Sequence, residues 1–125
     1  MTLVESVYSI TSSMSANEKF GLISQMNRAV VSVPSNIAEG WGRESTKNFV
    51  QFLRISRGSL FELETHLEIA YRLKLISAED FSKCNTMTQE VGRILQGLIN
   101  KLNLNNTVDE PVADYFAAEE LIAVR

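Results

Sequence analysis

The sequence predicts an all-α fold, an up-down-up-down four-helix bundle, and three observations carry that expectation. Apolar residues recur at steps of three and four through almost the whole body of the chain. The breaks between these runs span only a few residues and hold helix-capping and helix-stopping residue types, so neighbouring helices must run antiparallel. A length of 125 residues suits one domain with its own core.

The first run, roughly residues 2–13, places Leu3, Val7 and Ile10 on one face. A serine-rich break follows, and Ser15-Ala16-Asn17-Glu18 has capping-box spacing for a second helix. That helix lines up Ile23, Met26, Val30, Val33 and Ile37, with Pro34 inside it as a source of bending, and ends at Gly40-Trp41-Gly42. Ser45 is placed to cap a third helix running to about Lys74. Its seam is Phe49, Leu53, Ser56, Leu60, Leu63, Leu67 and Ala70. Ser77 followed by Asp80 marks the start of a fourth, whose seam is Phe81, Cys84, Thr88, Val91, Leu95, Leu98 and Leu102. The bundle domain is expected to occupy residues 1–104. Residues 105–125 form an acidic C-terminal tail, either without structure or with a short helix opened by Pro111.

The third helix carries more than one seam. Phe52, Ile55, Ser59, Glu62, His66 and Ile69 extend its apolar arc to roughly 200°, about twice what a surface helix needs. One side is expected to pack inside the bundle and the other against a second subunit. The first helix is also too short for its neighbours, about 18 Å against about 45 Å for the third. A partner, the acidic tail, or residues preceding Met1 would cover the difference.

Charge divides the chain unevenly. The formal net charge is −3, yet residues 1–104 carry eleven Lys/Arg against ten Asp/Glu. From Lys19 to Arg57 there are six basic residues and two acids, whereas the tail holds Asp109, Glu110, Asp114, Glu119 and Glu120 against Arg125. Taking the third helix to begin at Arg43, Arg43, Lys47, Arg54 and Arg57 fall within about 80° of one another. A charged outer face is ordinarily just solvated, but this one is the candidate nucleic-acid-binding surface, confined to one end by Glu64 and Glu68. The tail could fold over that stripe and mask it, or cover the seam left by the first helix.

The stretch Arg28-Ala29-Val30-Val31-Ser32-Val33-Pro34-Ser35-Asn36-Ile37-Ala38-Glu39-Gly40, then Gly42-Arg43, Phe52-Leu53 and Gly58-Ser59-Leu60-Phe61-Glu62-Leu63, resembles the four-helix bundle family of 23S rRNA-intervening sequence proteins. The similarity covers about residues 3–104. Members are encoded in insertions within ribosomal RNA genes and elsewhere in bacterial genomes. The resemblance implies the bundle derived above and a ring-like homo-oligomer, a pentamer. A related branch accompanies a retroelement reverse transcriptase and binds nucleic acid, and the resemblance implies no enzymatic activity. Two features depart from the family: the further turn containing a Trp with which its first helix usually begins is absent before Met1, and the tail after Asn105 matches nothing in it.

Other residue sets read as structure. Arg28, Asn36, Glu39, Arg43 and Glu62 are expected to form a structural or interface polar cluster. In it the arginines neutralise the carboxylates, and Asn36 satisfies backbone near the proline. His66, one turn from Glu62, lacks the second His and further carboxylates of a di-iron bundle, so it reads as a satisfied interface histidine and no metal or other cofactor is expected. Cys84 reads as a small core residue, and a single cysteine allows no internal disulfide. Trp41 reads as a core or interface anchor. No signal peptide, transmembrane-length run, phosphate loop or Rossmann glycine pattern stands out. The expected function is therefore that of a cytoplasmic, non-enzymatic nucleic-acid or ribonucleoprotein accessory protein. The alternative is a protein-binding scaffold.

Overall fold

The computed structural model describes residues 2–105 apart from Ala16 and Glu18. The expectations for the tail from residue 106 onward lie outside the described residues. Among the described residues four α-helices follow one another: α1 (Thr2–Ser12), α2 (Ser24–Gly42), α3 (Thr46–Arg72) and α4 (Ala78–Asn105), with a kinked segment at Lys19–Ile23 before α2. Among the described residues all regular structure is helical.

The starts of α3 and α4 follow from their caps. Ser45 Oγ accepts from the Asn48 N–H at 3.3 Å and Ser77 Oγ from the Asp80 N–H at 3.0 Å, so each hydroxyl satisfies one of the amides a helix start leaves over. Chain reversals sit beside them: Glu44 at φ 60° turns α2 into α3, and Lys74 at φ 62° ends α3 two residues before Ile76. The start of α2 differs from expectation. Ser15 Oγ accepts from the Asn17 N–H at 3.3 Å, but Gly21 adopts φ −104°, ψ −106°, which no α-helix contains. Regular α-helix therefore begins only at Ser24. Glu18, the far member of the expected capping box, lies outside the described residues.

Pro34 sits within a helix that continues through it. It brings no N–H, and its ring crowds the preceding turn. The missing N–H would have served Val30 O, and the three carbonyls that follow it each receive a side-chain donor. Ser35 Oγ donates to Val31 O, Asn36 Nδ2 to Ser32 O, and Ser56 Oγ, reaching across from α3, to Val33 O, each at 2.8 Å. Two of these donors, Ser35 and Asn36, follow the proline directly, and the third belongs to α3.

All seven seam residues of α3 are buried, and they form one core with Met26, Val30, Val33 and Ile37 of α2 and with Leu3, Val7 and Ile10 of α1. Fully burying one such leucine is worth about 1.5–3 kcal/mol. The α4 seam needs one correction: Ile99 is 2% exposed, whereas Leu98 is only partly buried, as is Phe81. The helix phase drifts against a strict seven-residue repeat, bringing the next residue into the core at this end.

Closest approach occurs where α2 ends. A Cβ on Gly40 would lie 2.6 Å from Phe52 Cβ and 3.0 Å from Phe49 Cδ1. Phe52 Cβ cannot move without its helix, so Gly40→Ala should force the helices apart and cost about 1–3 kcal/mol. Gly58 has open space where its Cβ would be, so Gly58→Ala should stabilise by about 0.5–1 kcal/mol. Leu63→Ala, a truncation in the centre of the core, should cost about 2–5 kcal/mol. Urea unfolding of the three variants checks both the magnitudes and the opposite signs of the two glycines.

Candidate nucleic-acid interface

The four cations expected to share one face do not all do so. Lys47, Arg54 and Arg57 belong to α3, but Arg43 is the C-cap residue of α2. The left-handed Glu44 between them breaks the angular register on which the grouping rested. Arg43 instead pairs with Glu39 at 2.8 Å, both half exposed, and its guanidinium carbon lies 5.2 Å from the centroid of the Phe52 ring. It therefore lies with the second apolar arc of α3, away from the other three cations. Such an exposed pair one turn apart contributes about 0.3–0.5 kcal/mol.

The remaining cations line the junction of α3 and α4. Arg57 is half-buried and donates through Nη1 to Gln96 Oε1 of α4; Gln96 Nε2 in turn donates to Asn100 Oδ1 at 2.8 Å. One of the five guanidinium donors is used there, and the bond holds the side chain along the junction. Arg54 and Lys47 are exposed toward the N-terminal end of α3. Arg93, also exposed, precedes Gln96 by one turn and shares its face. Phe61, 53% exposed, follows Arg57 by one turn on α3. Val50 and Thr46 are buried, so the bundle wraps further round this end of α3 than its seam alone requires. Cations, amide groups and an exposed aromatic ring thus lie along one strip.

The strip ends in acid. Glu64 is partly buried, and burial raises its carboxyl above the usual range. Glu68 pairs with Arg72 at 3.3 Å. Sequence reading missed Arg93, Gln96, Asn100 and Phe61. The spacing of 93, 96 and 100 as one polar stripe was available as a signal, but which side of α4 meets Arg57 was not.

The expected polar cluster forms only in part. Arg43 meets Glu39, but Arg28 donates to Gln25, and Glu62 is exposed, not half-buried as the cluster requires. Asn36 Nδ2 also donates to Ser32 Oγ at 2.9 Å, which lies 2.8 Å from Ser59 Oγ on α3, so the polar link between α2 and α3 runs through serines. His66 Nδ1 is buried and has no hydrogen-bond partner among the described residues. Among the described residues no three His, Cys, Asp or Glu side chains gather as a metal site would require, and no helix is long and apolar enough to cross a membrane.

Cys84 is fully buried in the core, and burial pushes its thiol from 9.0 up to about 11, a hydrogen bond with Ser6 opposing and the Asp80 charge adding. The neutral thiol is the form the fold favours. The stability it contributes is whole below pH 9.0 and is lost as pH rises toward 11. Urea midpoints measured across that range should fall more steeply for the wild type than for Cys84→Ala; parallel curves would show that the thiol is not involved. The same burial should make Cys84 unreactive toward thiol reagents in the folded protein.

Beyond its own geometry, the chain matches a family model described as 23S rRNA-intervening sequence protein over residues 1–97. No curated protein matches it.

Proposed function

The chain belongs to the 23S rRNA-intervening sequence protein family, and from that membership we propose a non-enzymatic, oligomeric binding protein of the cytoplasm that acts on nucleic acid or a ribonucleoprotein. The observation that carries the reading is the strip along α3 and α4. Lys47, Arg54, Arg57 and Arg93 offer positive charge for phosphates, Gln96 and Asn100 offer amide groups, and the exposed Phe61 ring offers a stacking surface. Unpaired bases stack on such rings, whereas duplexes present mainly phosphates, so single strands suit this strip best.

Self-association is the second part of the proposal. The outer arc of α3 leaves Ile55 44% and Ile69 40% exposed, and between them His66 Nδ1 has no partner among the described residues. Packing that arc against another copy would remove the apolar area from water and give the imidazole a chance of a partner. A pentameric ring is the count the family resemblance implies. Repeating the strip around a ring multiplies phosphate contacts on one assembly and raises avidity.

A protein-binding scaffold is the second reading, and the far end of the bundle favours it. There Leu73 is 61% exposed, and Tyr71 stacks on Phe81 at 4.5 Å beside Glu64 and Glu68.

Labelled single-stranded RNA, duplex RNA and duplex DNA should be titrated at low and moderate salt, with a Lys47→Ser, Arg54→Ser, Arg57→Ser variant beside the wild type. Binding that weakens steeply with salt and is lost in the variant is the expected result. Loss of single-strand preference in Phe61→Ala would locate the stacking surface. Absence of binding at low salt by the assembled protein would overturn this reading in favour of the scaffold. For assembly, light scattering should give a multiple of 14.0 kDa for the wild type and a lower mass for Ile55→Asp. Glu62→Ala should also reduce it. Equal masses for all three would refute the α3 arc as the interface.

A further inference from the structure

Along the outer face of α3 the charges divide by sign on either side of Phe61. Arg54 and Arg57 lie seven and four residues before it, Glu64 and Glu68 three and seven residues after it. These positions fall within about 80° of one another round the helix, so they share one face. Arg54 and Glu68 each stand about 10 Å from Phe61 along the axis, and Arg57 and Glu64 each stand about 5–6 Å from it. At the centre Phe61 is 53% exposed. Gly58, one turn before it, has open space where a Cβ would be, and Gly92 of α4, beside Leu60, adds no side chain. The ring therefore stands clear of its surroundings.

The groups at both ends hold unused bonding capacity. Arg54 and Glu64 have no ion pair among the described residues, although Glu64 is partly buried. Arg72 reaches Glu68 through Oε1 alone, from both Nε and Nη2, which leaves Oε2 without a partner among the described residues. Arg57 gives one guanidinium donor to Gln96 and keeps the rest. Beside the two carboxylates an open cavity of about 670 Å³ is bordered by the stacked rings of Tyr71 and Phe81. Carboxylates and aromatic rings together suit a guanidinium.

We propose that this face pairs with the same face of a second copy, the two α3 helices running antiparallel about a two-fold axis at Phe61. Self-complementary charge identifies the occupant. Such an axis sets each residue opposite the one equally far beyond Phe61. Arg54 of each copy therefore meets Glu68 of the other, and Arg57 meets Glu64, around the two Phe61 rings. The incoming Arg54 enters the cavity beside the carboxylates, with the Tyr71 and Phe81 rings along its flank. No cation of α3 is set against another: Arg72 lies opposite Val50, and Lys47 lies opposite the chain beyond the end of α3. A parallel pairing in the same register would set like charges together, which disfavours it. Phe61 lies about 100° round α3 from Glu62 of the Ile55–Ile69 arc. The contact is thus separate from the one proposed for that arc, and it does not rest on the nucleic-acid reading. Paired copies cover Arg54 and Arg57, so pairing and a phosphate backbone compete for the same arginines.

Sedimentation at low salt should compare the wild type with an Arg54→Glu, Arg57→Glu variant and a Glu64→Arg, Glu68→Arg variant. Each variant sets only like charges across the axis and should sediment at half the wild-type mass, with helicity retained. Mixed in equal amounts, the two variants regain opposite charge at every pair and should recover the wild-type mass. Equal masses for the wild type and both variants, or a mixture that stays at the lower mass, would overturn the proposal. A second measurement needs no charge reversal: Phe61→Cys in a Cys84→Ser background, under mild oxidation with oxidised glutathione. A residue on the axis should link copies in pairs, giving a disulfide-bonded dimer. A thiol that stays unlinked there would equally sink the two-fold pairing.

Discussion

Everything in this bundle is referred to the contact between α2 and α3. Gly40 lets the end of α2 come so close to Phe49 and Phe52 that no side chain fits between. One turn beyond Phe52 on α3's side of the same contact, Ser56 sends its hydroxyl into the core to the carbonyl of Val33, beside the proline that interrupts the α2 ladder. A serine in the middle of a leucine seam would ordinarily cost stability, because a buried hydroxyl without a partner is unfavourable. Here the seam serine finds its acceptor on the facing helix, at the residue before the proline. The bond sets the height of one helix against the other, since a shift by one turn would strand the buried hydroxyl.

The surfaces follow from that register. With one side of α3 committed to α2 and the core, its remaining faces divide. The Phe52–Ile69 arc stays apolar and half exposed on the α2 side, and the Lys47–Arg57 face meets α4. Arg57 is held at this second junction by Gln96, so the cations are arrayed along a helix–helix boundary, not scattered over a free helix. Such a boundary is stiffer than one exposed helix face, and a charge held in place loses less freedom when it meets a phosphate.

Much of the fold was legible in the sequence because helices write their packing as periodicity. The α3 seam could be read residue by residue, and so could both serine caps, since each depends on neighbours within a turn or two. What could not be read depended on longer or subtler geometry. Gly21 replaces the expected helix start with a kink, and no spacing rule announces that conformation. Leu98 and Ile99 exchange places because a one-residue phase drift is below the resolution of a three-four pattern. Arg43 was assigned to the wrong helix because two residues of non-helical backbone rotate everything that precedes them. Of the interface, the α3 cations were visible, while Gln96, Asn100 and Phe61 acquire meaning only when α4 is laid beside α3.

The Gly40 contact has a bearing on how the chain reaches this structure. Its partners, Phe49 and Phe52, lie only a short connection away, so bringing them together closes a small loop at low entropic cost. The α2–α3 corner is thus the contact a collapsing chain can form earliest, and it already contains the two aromatic rings that roof that end of the core. Contacts of α1 with α4 join the two ends of the bundle domain and close the longest loop of the fold. A bundle assembled from its central hairpin outward keeps its two outermost helices as the last to dock and the first to be released.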